Sequence, residues 1–200
     1  MTRFYLIRHA ATALVGRRIA GRLDGVSLTD AGRAEAARLA QRLAAEDIAA
    51  VYTSPRQRAR ETARPLAEML GREEVVAHEI DELDYGDWSG KTLAELDATP
   101  LWRAFNSVRS LTRVPHGETI LELQARFVGF MDRLAAEDQS SSVALVTHAE
   151  AIRAALAYYL GLPIDLSLRF DVDPASISIV ELYEQGGKIH CVNSTEAILR

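Results

Sequence analysis

The chain has 200 residues, of which 48% are hydrophobic and 26% charged, enough for one well-cored globular domain. Its formal net charge of -5 at pH 7 argues against nucleic acid or an anionic membrane surface as partners, since both call for a basic face. The one cysteine, Cys191, excludes an internal disulfide and any multi-cysteine metal site.

Phe4-Tyr5-Leu6-Ile7 is apolar without alternation and predicts a strand buried on both faces. Arg8 and His9 stand where it ends, and in open α/β sheets ligands sit outside the carboxyl ends of the strands. A Gly- and Arg-containing loop follows, with Arg17 and Arg18 read as solvated and Arg22 as a candidate for gathering anions. Thr29 then caps a helix with Ala36, Leu39, Ala40 and Leu43 at helical spacing. Ala49 to Thr53 predicts a second buried strand. Ser54-Pro55 predicts a cap and a first-position proline opening a helix to about Leu70. On it Arg56, Arg60 and Arg64 read as a solvated stripe, with Arg58 on a different side at about 100° per residue.

Val75 to Ile80 predicts a third strand, followed by an irregular acidic and aromatic stretch, Asp81 to Gly90. Leu93 to Val108 predicts one or two short helices and Gly117 to Ala136 a longer one. Residues 91–116 are the expected lid, with Trp102, Phe105, Val108 and Leu111 as its apolar inner face. Val143 to Val146 predicts the fourth strand, and Ala151 to Leu160 a helix stopped by Gly161 and Pro163. Ile177 to Tyr183 and Lys188 to Val192 predict a hairpin turned at Gln185-Gly186-Gly187. Alternating strands and helices imply an α/β fold, a mostly parallel sheet with helices on both faces. Residues 1–200 are expected to form a single domain. No run is long and apolar enough for a secretion signal or a membrane span, so a cytoplasmic location is expected.

Arg8, His9, Arg58, Glu82 and His148 each follow a predicted strand. Two guanidinium groups and a second imidazole suit the charge that spreads over a phosphoryl group in transfer. A neutral His9 suits nucleophilic attack, and a protonated Glu82 suits donation to a leaving oxygen. By residue type His9, His148 and Glu82 would also suit zinc, but Arg8 and Arg58 would repel a cation. His78, His116 and His190 read as incidental. Asp171 and Asp173 read as turn chemistry. A cysteine phosphatase is excluded because Ala197 stands where its arginine would be.

Leu6-Ile7-Arg8-His9-x-x-Thr12 resembles the signature of the histidine phosphatase superfamily, which includes phosphoglycerate mutases and many small-molecule phosphatases. The resemblance continues through Gly21-Arg22-Leu23-Asp24, Thr53-Ser54-Pro55-x-x-Arg58, Glu82-Leu83-x-Tyr85-Gly86, Pro115-x-Gly117-Glu118-Thr119 and Val146-Thr147-His148-Ala149. It implies a phosphoglycerate mutase-like fold. It also implies that Arg8, Arg58 and His148 line a phosphate pocket, with His9 the nucleophile and Glu82 the proton donor. Thr12, Arg22, Tyr85 and Ala149 would contact substrate. No metal or organic cofactor is implied. The expected partner is a small phosphorylated metabolite, with a homodimer as the candidate assembly.

The chain departs from the family pattern at Ala10-Ala11, where Gly-Glu is usual, and at Ala149-Glu150, where Gly-Gly is common. The extra methyl groups are expected to crowd the pocket slightly, and Glu150 to point to solvent. Mutases carry asparagine where this chain has Val15 and Glu150, and paired arginines in a longer lid. Tyr85 does match a mutase-like position. The expected activity is therefore hydrolysis of small phosphomonoesters. A mutase, or a non-catalytic module that binds a phosphate ligand, is the alternative.

Overall fold

The computed structural model describes residues 1–137 and 141–196; Ala197 lies outside them. In chain order the elements are β1 (Thr2–Arg8), α1 (Asp30–Leu43), β2 (Ile48–Thr53), α2 (Gln57–Leu70), β3 (Glu74–Val76), α3 (Leu93–Asp97) and α4 (Pro100–Ser107). They continue with α5 (Ile120–Glu137), β4 (Ser142–Thr147), α6 (Ala149–Tyr159), β5 (Ile177–Tyr183) and β6 (Gly186–Ser194). The strands form one sheet in the order β3-β2-β4-β1-β5-β6. β1, β2, β3 and β4 run parallel, β5 runs antiparallel to β1, and β6 closes a hairpin with β5. The α/β architecture with its mostly parallel sheet and the C-terminal hairpin are as expected.

The apolar run of β1 is buried on both faces because helices cover both. Phe4 and Leu6 join Leu145 and the inner faces of α5 and α6 in one core cluster. Tyr5 and Ile7 join Val146 and the inner faces of α1 and α2 in another. Since β4 lies between β1 and β2, the first crossover leaps one strand. Arg8 and Thr147 pair in register at the ends of β1 and β4, and the chain diverges there to opposite faces.

Several boundaries differ from expectation for local reasons. The third strand stops at Val76, and His78–Ile80 forms a 3-10 turn that sends Ile80 fully into the core. α2 starts at Gln57 with Arg56 as cap residue, while the Ser54 hydroxyl accepts the Arg56 amide at 3.3 Å and also bonds Asp81 and His148. The hairpin pairs Tyr183 with Gly186, so its tip is Glu184-Gln185. Trp102 and Phe105 pack edge-on against Trp88, in the stretch that carries Glu82. Val108 and Leu111 are exposed, Leu111 by 85%, so they supply no inner face.

Two glycines show how closely the loop after β1 is held. A Cβ at Gly32, in the first turn of α1, would lie 2.1 Å from the Ala11 carbonyl oxygen. At Gly129, in mid-α5, it would meet nothing within 4 Å. Gly32→Ala is therefore expected to cost about 1–3 kcal/mol through overpacking. Gly129→Ala should gain about 0.5–1 kcal/mol by stiffening the unfolded chain and favouring helix. Urea midpoints of the two variants check both signs.

Candidate active site

The carboxyl ends of β1, β2 and β4 open onto a cavity of about 410 Å³ whose lining includes Arg8, His9, Arg58, Glu82, Tyr85 and Glu150. Thr12, Arg18, Ala149 and Arg153 also reach it. His148 and Arg22 do not line it; both stand behind the wall.

His9 is 6% exposed. Its Nδ1 lies 2.8 Å from the Ala10 carbonyl oxygen, which can only accept, so the proton sits on Nδ1. Nε2 is left with its lone pair and no protein partner among the described residues. Burial, then the charges of Arg58 and Arg8, hold the His9 pKa well below its ordinary value, so the ring is neutral at physiological pH.

Arg58 is 1% exposed. Its Nη2 donates to the Gly21 carbonyl at 2.8 Å and to His148 Nδ1 at 3.1 Å, while its Nε and Nη1 are buried without partners among the described residues. Arg8 donates through Nη1 to the Val172 carbonyl at 2.6 Å, and its buried Nε also lacks a partner among them. Buried donors are normally satisfied. Unpaired guanidinium N–H groups on two arginines beside one histidine describe a site built for an oxyanion.

A guanidinium cannot accept, so Arg58 fixes His148 Nδ1 as the acceptor and places its proton on Nε2. That N–H donates to Ser54 Oγ at 2.8 Å, and the serine hydroxyl donates to Asp81 Oδ1 at 3.0 Å. Asp81 also takes Arg56 Nε at 3.0 Å and the Glu82 amide at 2.8 Å. Arg56 is thus a structural ligand of this relay, not part of a solvated stripe. Arg60 does fit the stripe, in a half-exposed pair with Glu74.

Glu82 is 8% exposed, and its Oε1 accepts the Leu83 amide at 2.9 Å. Its Oε2 is 3.8 Å from His148 Nδ1. Burial pushes its pKa up to about 7, against the pull of Arg58 and with help from the charge on Glu150. Its carbonyl is gripped by Arg22 Nε at 2.9 Å and Arg126 Nη2 at 3.0 Å. Arg22 and Arg126 both also bind Glu118. Arg22 therefore holds the acid stretch rather than a ligand. Gly86 lets this stretch pass the next segment: a Cβ there would lie 2.0 Å from the Pro115 carbonyl oxygen.

The departures from the family pattern resolve as follows. Ala10 is fully buried against Leu28, Ala36 and Ala175, and its amide donates to Thr62 Oγ1 at 3.0 Å. Neither Ala10 nor Ala11 lines the cavity, so their methyl groups do not crowd it. Glu150 does not point to solvent. It is 9% exposed and pairs with Arg109 and with Arg153, the latter at 3.1 Å. Burial raises its pKa, and the two arginines more than offset that, leaving it below the ordinary value. The roles of Asp81, Arg109 and Arg126 have no local signature in the sequence; the Glu150-x-x-Arg153 spacing is that of a helical ion pair.

Among the described residues no group of three or more His, Cys, Asp or Glu side chains is placed to hold a metal ion. No helix among them is long and apolar enough to cross a membrane.

The raised Glu82 pKa has a stability consequence with a definite sign. The folded state binds the Glu82 proton more tightly than the unfolded chain, whose carboxyl has the ordinary value of 4.5. The contribution of that protonated carboxyl is complete below pH 4.5 and is lost as pH rises to about 7. The unfolding free energy of the wild type relative to Glu82→Gln should fall across that window and level off above it. Urea titrations at a series of pH values measure this; a flat difference would mean that Glu82 is not desolvated.

Among known proteins, the chain is 30% identical over 203 residues to phosphoserine phosphatase 1 of Hydrogenobacter thermophilus, covering 98% of this chain and 93% of that one. It is 34% identical over 154 residues to phosphoglycerate mutase-like protein 4 of Arabidopsis thaliana, covering 74% of this chain and 66% of that one. The chain spans 54% of the length of mycobacterial relatives to which it is 34% identical. A mycobacterial glucosyl-3-phosphoglycerate phosphatase solved with VO3 superposes with a TM-score of 0.87 at 28% identity, covering 96% of this chain and 99% of that one. The model of the histidine phosphatase superfamily (branch 1) matches residues 4–195, and the chain belongs to that superfamily.

Proposed function

We propose that this protein hydrolyses small phosphomonoesters through a phosphohistidine formed on His9 Nε2. Phosphatase activity is what the superfamily and its phosphatase-named relatives support. The observation that carries the mechanism is the His9 tautomer. With Nδ1 committed to the Ala10 carbonyl, the lone pair on Nε2 lies in the cavity that Arg8 and Arg58 line.

In the first step that lone pair forms a bond to phosphorus as the phosphorus–oxygen bond to the leaving group breaks. The Glu82 carboxyl proton passes to the departing oxygen. The guanidinium groups of Arg8 and Arg58, which line the cavity, take the equatorial oxygens, on which charge accumulates in a loose transition state. In the second step water attacks phosphorus and Glu82, now a carboxylate, accepts its proton. The phosphorus–nitrogen bond breaks and its electron pair returns to Nε2, releasing inorganic phosphate. A pKa near 7 suits a group that donates in one step and accepts in the next. His148 fixes Arg58 through the Nδ1 contact, and the serine–aspartate relay fixes His148. Atoms and protons balance without a metal.

Hydrolysis is favoured over mutase activity by the wall facing the leaving group. A mutase must retain its acid product for return transfer, and this wall carries Val15 and an already paired Glu150 in place of two amides.

Incubation with a generic aryl phosphate and chelator should release phosphate at an undiminished rate. An acid-labile phosphoenzyme should be trapped in the wild type and be absent in His9→Ala; labelling that persists would remove His9 as nucleophile. With alkyl phosphates, whose leaving groups need a proton, the rate should fall as pH rises through about 7. Glu82→Gln should slow these esters by about 10²–10⁴ and aryl phosphates with good leaving groups far less. Isomerisation of 3-phosphoglycerate faster than its dephosphorylation would establish the mutase instead.

A further inference from the structure

The acid of the reaction above is aimed by its own main chain. Glu82 Oε1 accepts the Leu83 amide at 2.9 Å, and the carboxyl has no other hydrogen bond among the described residues. With Oε1 engaged as acceptor, the proton is carried on Oε2. The Leu83 N–H and the Glu82 carbonyl are two ends of one planar peptide unit, so whatever fixes the carbonyl also fixes the donor that holds the carboxyl. Two guanidinium groups take that carbonyl, Arg22 through Nε at 2.9 Å and Arg126 through Nη2 at 3.0 Å. Arg22 comes from the loop after β1 and Arg126 from α5. Glu118 locks them together: its Oε1 lies 2.9 Å from Arg22 Nη2 and accepts Arg126 Nε at 3.1 Å. Its Oε2 accepts the Asp84 amide at 3.0 Å, and Arg126 Nη1 reaches the Glu79 carbonyl at 2.6 Å. The chain is thereby held before and after Glu82. None of the three side chains lines the cavity.

We propose that Arg22 and Arg126, locked by Glu118, are positioning residues that aim the general acid through the peptide plane between Glu82 and Leu83. The proposal rests on the phosphatase reading above and adds how its acid is held to the phosphoryl pocket. One donor satisfies a buried carbonyl; two charged donors from separate elements also deny its plane any rotation. Rotation matters because proton transfer needs heavy atoms within about 2.6–3.2 Å, and a displacement of about 1 Å can cost about a hundredfold. The loop that supplies Arg22 grips the phosphoryl side as well. Its Gly21 carbonyl takes Arg58 at 2.8 Å and its Arg22 carbonyl takes Arg56 at 2.7 Å. Both of those contacts use main-chain atoms, so replacing the Arg22 side chain frees the acid and leaves the phosphoryl side held.

The test compares an alkyl phosphate, whose leaving group needs a proton, with an aryl phosphate whose leaving group does not. The readout is the alkyl-to-aryl ratio of kcat/KM, which cancels any general loss of activity. Arg22→Met and Arg126→Met should each lower that ratio by about 10- to 100-fold, and Arg22→Lys should restore part of it. In a Glu82→Gln background, where the ratio is already low, Arg22→Met should lower it no further, because residues that act through one another do not add. Should Arg126→Met fail to fold, Arg22→Met carries the test, its side chain being 31% exposed. A ratio unchanged in the arginine variants would overturn the proposal, since equal loss on both esters is what a purely structural role predicts. A further fall in the Glu82→Gln background would overturn it too, by showing that the effect does not pass through the acid. So would a loss confined to the alkyl KM, which would make Arg22 a substrate contact. Failure of the wild type to hydrolyse either ester would strike the phosphatase reading, and the proposal with it.

Discussion

The structure depends on keeping two arginines out of water with part of their hydrogen bonding unspent. Arg58 is almost fully buried with two nitrogens unpaired among the described residues, and Arg8 has one. Burying an unpaired charged donor is among the costlier things a fold can do. It persists only where the surroundings leave the side chain no alternative. Here the Gly21 and Val172 carbonyls hold one edge of each guanidinium, and His148 holds Arg58 from behind. Both side chains also line the cavity. Burial lowers the pKa of both arginines, and the nearby Glu82 partly restores it.

The same desolvation acts in opposite directions on His9 and Glu82. It drives His9 toward the neutral form and Glu82 toward the protonated form. Both are the uncharged states that the proposed first step needs. Two cations beside His9 push the same way, whereas beside Glu82 the charge of Arg58 pushes against burial. Glu150 opposes Arg58 there with a negative charge of its own, which helps raise the Glu82 pKa. A residue at the start of α6 thus bears on the acid, although it donates no proton itself.

What the sequence made legible follows from how locally each feature is encoded. The strand ends that carry Arg8, His9 and His148 are marked by apolar runs that break into polar residues, and the helices by their stripes and caps. Arg58 was separable from Arg56 by its angular position on α2, but the fate of Arg56 was not. Its partners Asp81 and Asp24 come from distant segments, and nothing in the local pattern announces such a pairing. Glu150 failed for the same reason. An exposed first-turn glutamate and a buried, twice-paired one have identical neighbours in sequence, and only the arrival of Arg109, 41 residues away, distinguishes them. The burial of Ala10 likewise rests on Leu28, Ala36 and Ala175, which the chain brings together only on folding.

The overall charge of the chain misleads about the site. A net charge of -5 is distributed over the surface, yet Arg8, Arg58, Arg153 and Arg18 line one cavity against Glu82 and Glu150. With Glu82 protonated, four positive charges face one negative charge. Low-dielectric walls strengthen that local excess relative to the screened surface charges. In the proposed mechanism, transfer of the Glu82 proton to the leaving oxygen lowers that excess by one, while Arg8 and Arg58 keep their charge beside the phosphoryl group.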